Sequence, residues 1–560
     1  MVANLGTIAE NTLRARFEKG GSRDVEDRGS GGVVPERREE LDRAEWWVTG
    51  IILLISLIII WTGFRPPMYD VSSHLATGVI AQRILAGDEF TRAHYTMLPE
   101  PVPYWLTTLA LLATQALGPH ASLKLLFSIY AIALPLSFYL LARSYAPSAL
   151  RYTPLVTLAI FNWTYWRGET NFLFGQPLFP LATWLFLRLR SVRSLSFAGF
   201  VVVIVLAYLA HIFVLTAIAG ITALLTAIEF LRARRDPARR PPRAQIAALA
   251  FLAVLVAIAM YYVFLHHRTS ANRGSLLFDF NPVRWGNLFE EPLTSPTIPS
   301  ALPAFALAVS IAALWISSFP RQGSLFQRVW ARIDFRFLLV GFAFAMLYLY
   351  GPVGIVEAGG RREEDISPRY VLVAFMFLLL GTKLAIGRRR RQLFLLLILM
   401  MGAFKLFDAR AIHRRVGRTY QAIEANVLSK IPEGSRVLPL NDYRPPHSRR
   451  NIYFFLYAGN YVVVDRHGYS PTVFARAGQQ ALRHVFRGEH RSVFDRQVTP
   501  DEWNFYDYVL IQTNRERPEV EGLAENTKEI AADAGFRLYR IERSLSPEDR
   551  ETGVTREPEG

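Results

Sequence analysis

The 560-residue chain contains no cysteine, which excludes disulfides, thiol nucleophiles and cysteine-held zinc. It shows no internal repeat of the kind that builds many transporters. Its carboxy-terminal part carries neither a Gly-rich phosphate loop nor a GxSxG nucleophile turn. No cleavable signal is evident either. The first 45 residues, MVANLGTIAENTLRARFEKGGSRDVEDRGSGGVVPERREELDRAE, are polar and Gly-rich and read as a disordered cytoplasmic tail. Acidic residues are the minority, 47 against 63 Lys and Arg, for a net charge of +16. The basic residues cluster between apolar runs, as in RARRDPARRPPR and RRRRQ. That is the pattern of cytoplasmic loops, so the charge marks topology and anionic lipid and not nucleic acid.

What the chain has in abundance is apolar length: 51% of its residues are hydrophobic. The first span runs from about Trp46 to Phe64. Further segments follow at roughly 103–118, 123–142, 148–166, 172–189, 196–210, 212–231, 245–265, 300–319, 336–351, 369–387 and 393–407. Placing the basic loops in the cytoplasm puts both ends of 103–118 on the outer side. Its 16 residues reach only about 24 Å, short of a hydrocarbon core of roughly 30 Å. Segment 103–118 is therefore expected to lie along the membrane face. Eleven spans remain, with the amino terminus inside and the carboxy terminus outside.

Between the first span and that helix lies RPPMYDVSSHLATGVIAQRILAGDEFTRAHYTMLPEPVPYW. Two prolines end the span, and Val71, Leu75, Val79, Ile80 and Ile84 recur at helical spacing. A second membrane-face helix is expected over 70–86, with Asp70 at its start and His74 one turn on. Asp is a common helix N-cap, so the residues alone leave two readings of Asp70 open, a cap or an acid held at the bilayer edge. The apolar run 195–231 divides at His211. This histidine faces a polar cavity or helix break, or sits buried on a backbone carbonyl.

From Asp408 the composition becomes that of a soluble α/β domain of about 130 residues, 408–544. RVLPL, YVVVD, YDYVLIQT and FRLYRIE read as strands, and 472–487 and 518–534 as helices. Residues 545–560 read as a second disordered tail. The fold class expected is thus mostly α and polytopic over 46–407, with two juxtamembrane helices and a small extracytoplasmic α/β domain.

This order of parts resembles the GT-C glycosyltransferases, multi-span enzymes that use polyprenyl-phosphate-linked sugars. Four stretches carry the resemblance. The first is Asp70 in PPMYDVSSHLATGVIAQRIL, an acid just after span one. The others are the Pro-initiated PEPVPYWLTTLALLATQALG, the loop NWTYWRGETNFLFGQPLFPLATWL with Glu169, and SPRYVLVAFMFLLLG, in which Arg369 and Tyr370 enter a late span. Many members carry two adjacent acids in the first loop, whereas here Val71 follows Asp70.

The resemblance implies an enzyme of a bacterial inner membrane. It would move a sugar from a polyprenyl-phosphate donor to a lipid, glycan or protein acceptor, by inverting transfer on the external face. It implies Asp70 as the base, with Glu169 the second catalytic candidate. His74 and Glu169 would orient acceptor or sugar, or help hold a divalent cation (Mg or Mn) if one is used. Arg369 would hold the leaving phosphate, backed by Arg361 or Arg362, with Tyr370 and His211 lining the substrate site. Tyr69, Trp105, Trp163 and Trp166 are candidates for stacking on sugar rings, or interfacial anchors. The alternative reading is a transporter or flippase of lipid-linked saccharides.

Overall fold

The first apolar run forms helix α1 (Arg43–Thr62), whose outer face bears Trp47, Leu54 and Ile58 in the open. The structure is a computed structural model. It describes residues 43–98, 103–234, 236, 240–261, 275–278, 284, 292–293, 301–317, 319, 322, 324–352, 354–356, 362–363, 366–384, 386–442, 455–474, 482–486, 493 and 497–542. Arg361, nearly all of 1–45 and the whole of 545–560 lie outside these.

Pro66 and Pro67 turn the chain out of α1 into α2 (Val71–Leu85), then strand β1 (Tyr95–Met97) and the short α3 (Leu106–Ala113). Apolar helices follow: α4 (Pro119–Tyr145), α5 (Leu195–Ala210), α6 (Ile212–Ala233) and α7 (Arg243–Met260). A small antiparallel sheet joins β2 (Ser275–Leu277), β3 (Gly354–Val356) and β4 (Arg362–Glu363). Around it come Ala301–Ser317, α8 (Phe335–Tyr350) and α9 (Val371–Gly381), and then the 39-residue α10 (Arg388–Asn426).

Five helices are long and apolar enough to cross a membrane: α1, α4, α6, α7 and the apolar stretch of α10. Phe407, Met400, Leu396, Val254 and Leu136 stand exposed on their outer faces, a surface that lipid accepts and water does not. The chain is an integral membrane protein, mostly helical, with small sheets.

The count of eleven full spans is not met among the described residues. Segment 148–166 is a series of single turns, Pro147–Tyr152, Thr153–Leu158, Ala159–Phe161 and Trp163–Arg167. Segment 172–189 is split into Thr170–Gly175 and Leu178–Leu187. Pro147, Pro154, Pro177 and Pro180 remove amide donors, and extended Asn162 and left-handed Gly168 interrupt the helical path. These apolar runs are buried inside the bundle, where broken helices find protein partners.

The carboxy-terminal part adds β5 (Val437–Asn441), β6 (Leu482–His484), β7 (Tyr508–Gln512), β8 (Thr527–Asp533) and β9 (Phe536–Ile541). Four of them make a sheet in the order β5-β7-β9-β8, with β5 and β7 parallel and the rest antiparallel. Three expectations fail here. YVVVD is helical, Tyr461–Asp465, because an apolar run buried all round does not separate helix from strand by period. Within 472–487 the described element is strand β6, and 518–534 is a four-residue helix, Leu523–Asn526, followed by β8. The β8–β9 turn takes positive φ at both Ala534 (50°) and Gly535 (79°), the two-residue form that fits strand twist, with Ala where Asn is usual. The boundary expected at residue 408 also moves. Helix α10 runs straight through it, since no proline breaks the sequence between Arg388 and Asn426. All described residues fall in one compact unit.

Helices α1 and α10 run parallel. Glu45 pairs with Arg391 at one end (2.7 Å), and Gly402 packs by Ile52 midway. At the other end Arg65 Nη2 donates to Glu424 on α10 (2.6 Å) and to Asp465 of the carboxy-terminal part (2.7 Å). The Arg65 side chain is 2% exposed, with the Tyr461 ring 4.0 Å from its guanidinium carbon. Around it the first loop and the carboxy-terminal part are joined at many points. Ser72 Oγ donates to Tyr457 O (2.6 Å), Asn460 Nδ2 to Ser73 Oγ (2.7 Å), and Arg83 to Val463 O (2.6 Å). His467 meets Asp88 at 2.9 Å, and β1 pairs with β6. The polar face of α2 is thereby covered, and every residue from Val71 to Ala81 is buried.

Arg65 is the buried member of the cluster, while Glu424 and Asp465 are 37% and 20% exposed and stay hydrated without it. Arg65→Met should therefore cost about 1–2 kcal/mol of stability, the worth of its charged hydrogen bonds, read as a lowered thermal midpoint in detergent micelles. An unchanged midpoint would show the cluster to be energetically idle.

Candidate active site

Asp70 stands at the head of α2 and does not act as its cap. Its backbone is helical (φ −96°, ψ −1°), and its carboxylate makes no capping bond to the first-turn amides. The carbonyl of Asp70 instead accepts from Ser73 N–H and His74 N–H (3.1 and 3.3 Å). The side chain is half-buried.

The segment 162–171 is laid against Asp70 by backbone contacts. Tyr69 N–H donates to Trp166 O (3.2 Å) and Asp70 N–H to Arg167 O (2.9 Å). Asn162 caps Trp163–Arg167 through Tyr165 N–H, and Gly168 ends that turn at φ +73°. A Cβ on Gly168 would lie 2.9 Å from the backbone nitrogens of both Asp70 and Val71, so only glycine lets the segments meet.

Beyond this glycine the charges gather. Arg369 Nε donates to Glu169 Oε2 (3.0 Å), and Arg167 Nε lies 3.9 Å from Glu169 Oε1. The Arg167 guanidinium also sits 4.6 Å above the Tyr69 ring. Glu169 is thus held as the counter-charge of two arginines.

Arg369 lies in the short turn Ser367–Tyr370 ahead of α9, with Phe213 and Phe172 at 5.1 and 5.8 Å from its guanidinium carbon. His211 sits in extended backbone (φ −168°, ψ 140°) between α5 and α6, the helix break that divides the run 195–231. It is buried, but its Nδ1 accepts from Phe213 N–H (3.1 Å) and so caps α6, where a carbonyl-bonded histidine would donate. Its ring packs among Tyr104 (4.6 Å), Phe213 (5.3 Å) and Phe172 (5.4 Å), and Tyr370 lies edge-on to Phe213 (6.1 Å). Trp166 is core: it is 1% exposed and its indole N–H donates to Phe161 O, so it cannot stack on a sugar.

His74 shares α2 with Asp70 and is closed over by Phe474, ring to ring at 5.4 Å. Burial lowers its pKa to about 4, so the imidazole is neutral at pH 7 and adds no cation beside Asp70. Among the described residues no three His, Asp or Glu side chains converge as cation ligands.

The structure adds residues that sequence reasoning passed over: Gly168, Tyr104, Asn171, Phe172 and Phe213. Gly168 had a local signal, a glycine between the charged Arg167 and Glu169 at a helix end. The aromatic residues had none, because nothing in their own neighbourhoods foretells which rings meet.

No family model matches the chain, and no curated protein matches it. Among solved structures it is similar to the arabinofuranosyltransferase AftD from mycobacteria, determined by cryo-electron microscopy. The two are 13% identical with a TM-score of 0.42, over 90% of this chain and 40% of that one. The chain therefore spans less than half the length of the structure it matches.

Two measurements test this geometry. Gly168→Ala meets both a left-handed φ and two backbone nitrogens, whereas Gly434→Ala meets a similar φ (74°) with nothing within 4 Å. The first should cost more than the roughly 1–2 kcal/mol expected from φ alone, and the second no more than that. Equal losses by thermal unfolding would show that the close approach is unimportant. The second measurement is pH dependence. His74 and His484 are both lowered to about 4, chiefly by burial. Below about pH 6.5 the unfolded chain binds protons on these rings that the folded chain refuses until about pH 4. Stability should be full above pH 6.5 and fall as pH drops toward 4, and His74→Asn should flatten that slope.

Proposed function

We propose that the protein is a membrane glycosyltransferase that moves a sugar from a polyprenyl-phosphate donor to an acceptor hydroxyl with inversion at the anomeric carbon. The observation that carries this reading is the juxtaposition of an uncapped acid, Asp70, with the Glu169–Arg369–Arg167 cluster across Gly168. Such a pairing sets a proton acceptor beside fixed positive charge, which a displacement with an anionic leaving group needs.

In the proposed step the acceptor oxygen attacks C1 from the face opposite the phosphate. Asp70 takes the hydroxyl proton as the new C–O bond forms. The bond from C1 to the phosphate oxygen breaks, and the electron pair leaves with the phosphate. Arg369 and Arg167 stabilise the charge that develops there, and Glu169 holds both guanidinium groups in place before the substrate arrives. His74 is neutral at pH 7 and adds no cation of its own beside Asp70. His211 and Tyr370 line the same aromatic enclosure and shape the sugar site.

The topology that suits this reading puts the basic loops in the cytoplasm and Asp70, α2 and the carboxy-terminal sheet on the outer side of a bacterial inner membrane. The donor then presents its headgroup at the bilayer edge where α2 begins. The acceptor is a lipid, glycan or protein.

The test is transfer from a panel of polyprenyl-phosphate sugars by purified protein in lipid nanodiscs. Asp70→Asn should lower transfer by about 10²–10⁴-fold without changing donor binding, the range for losing a general base. Full transfer by Asp70→Asn would end the assignment of the base. No transfer from any donor, together with movement of lipid-linked sugar across reconstituted vesicles, would make the protein a transporter.

A further inference from the structure

Tyr104 has a backbone that tyrosine rarely adopts. Its φ is +77°, in the region where the Cβ of an L residue crowds the following carbonyl oxygen. Nothing in Pro103–Tyr104–Trp105 relieves the strain locally, and a glycine would adopt the same conformation more cheaply. The surroundings impose it. Asn171 Nδ2 donates to Tyr104 O (3.1 Å), and Asn171 Oδ1 accepts from Thr107 N–H (2.8 Å). Thr107 Oγ1 and Thr170 Oγ1 add a further bond at 3.0 Å. Asn171 and Thr170 directly follow Glu169, so the segment that carries the ion cluster also pins Tyr104.

The strain aims the ring. It meets His211 edge-on at 4.6 Å, inside the enclosure shared by Phe172, Phe213 and Arg369. The side chain lies close enough to feel the charges of both Arg369 and Glu169. Burial, the leading influence on it, raises the phenol pKa to about 12, so the group keeps its proton at neutral pH. Among the described residues no hydrogen bond to the Tyr104 hydroxyl is formed, in contrast to the buried Tyr130 and Tyr95, each satisfied by protein partners. Backbone strain held in place by a dedicated asparagine, which sets the ring beside the Arg369 enclosure, points to a position kept for more than packing.

We propose that Tyr104 is a catalytic residue whose hydroxyl donates a hydrogen bond to the phosphoryl oxygen of a lipid-linked sugar, beside Arg369. This inference rests on the glycosyltransferase reading and names a group that acts in it. The bond strengthens as charge builds on the departing phosphate, so its loss falls on kcat more than on the donor KM.

One variant separates this role from a structural one. Tyr104→Phe keeps the ring, the strain and the packing, and removes only the hydroxyl. It should lower kcat by about 10- to 100-fold, the worth of one hydrogen bond to an anion, with the thermal midpoint unchanged. Tyr104→Gly relaxes the backbone but also deletes the ring packed on His211, so it should lower the midpoint as well as transfer, and only Tyr104→Phe isolates the hydroxyl. Wild-type kcat in Tyr104→Phe would overturn the proposal.

A binding measurement keeps the inference apart from the reading it rests on. Polyprenyl monophosphate should raise the thermal midpoint of the wild type. Inorganic phosphate and the neutral polyprenol should each raise it less, which assigns the phosphoryl group to a lipid carrier. Tyr104→Phe should show a smaller rise with polyprenyl monophosphate. If the wild type transfers no sugar but this difference persists, the phosphoryl contact stands and the transferase reading falls. An equal rise in wild type and Tyr104→Phe removes the contact.

Discussion

A single buried cation fixes the arrangement on which the rest of the molecule depends. Arg65 lies directly after the first transmembrane helix, where its guanidinium has left water almost completely. A charge in that position demands compensation, and it finds it in Glu424 and Asp465, supplied by the other end of the chain. Its Nε and Nη1 have no hydrogen-bond partner among the described residues, so the face of Tyr461 provides the remaining stabilisation. Once Arg65 is anchored, Pro66 and Pro67 leave the chain little choice of direction. Asp70 then arrives at the head of α2 with its position set by elements on both sides of it.

The same logic governs the charges nearer the chemistry. Glu169, Arg167 and Arg369 come from two distant stretches of sequence, and the carboxylate of Glu169 is the shared counter-charge of both arginines. Asp70 is tied to the segment that carries this cluster by its backbone bond to Arg167, across the close approach at Gly168, and shares its helix with a neutral imidazole.

Part of this was legible in the residues. The prolines after the first span, the helical spacing from Val71 to Ile84 and the ionisable residue inside 195–231 each carried a local physical signal, and each corresponds to a feature of the fold. What could not be read were properties that belong to pairs. Whether Glu169 is free or paired depends on Arg369, 200 residues away. The apolar run 148–166 has a span's composition, but its prolines let it be broken because the bundle can satisfy the freed amides. YVVVD has strand-forming residues, yet its burial on all sides removed the pressure toward a two-residue period. The polar face of α2 was read correctly as polar, but its burial follows from the serine contacts to Tyr457 and Asn460, which no local pattern encodes.

The pairing of β1 with β6 and of Arg65 with Asp465 has a consequence for biogenesis. Arg65 and Asp465 are 400 residues apart, and ribosomes add about 5–20 residues per second. For roughly 20–80 s after its synthesis, the first loop waits without the groups that bury its charge and complete its strand. During that interval the nascent chain holds an unpaired edge and an uncompensated arginine at the mouth of a half-built bundle. The head of α2 reaches its folded position only when the far end of the polypeptide arrives. A prematurely terminated chain inserts its helices and yet never buries its first loop.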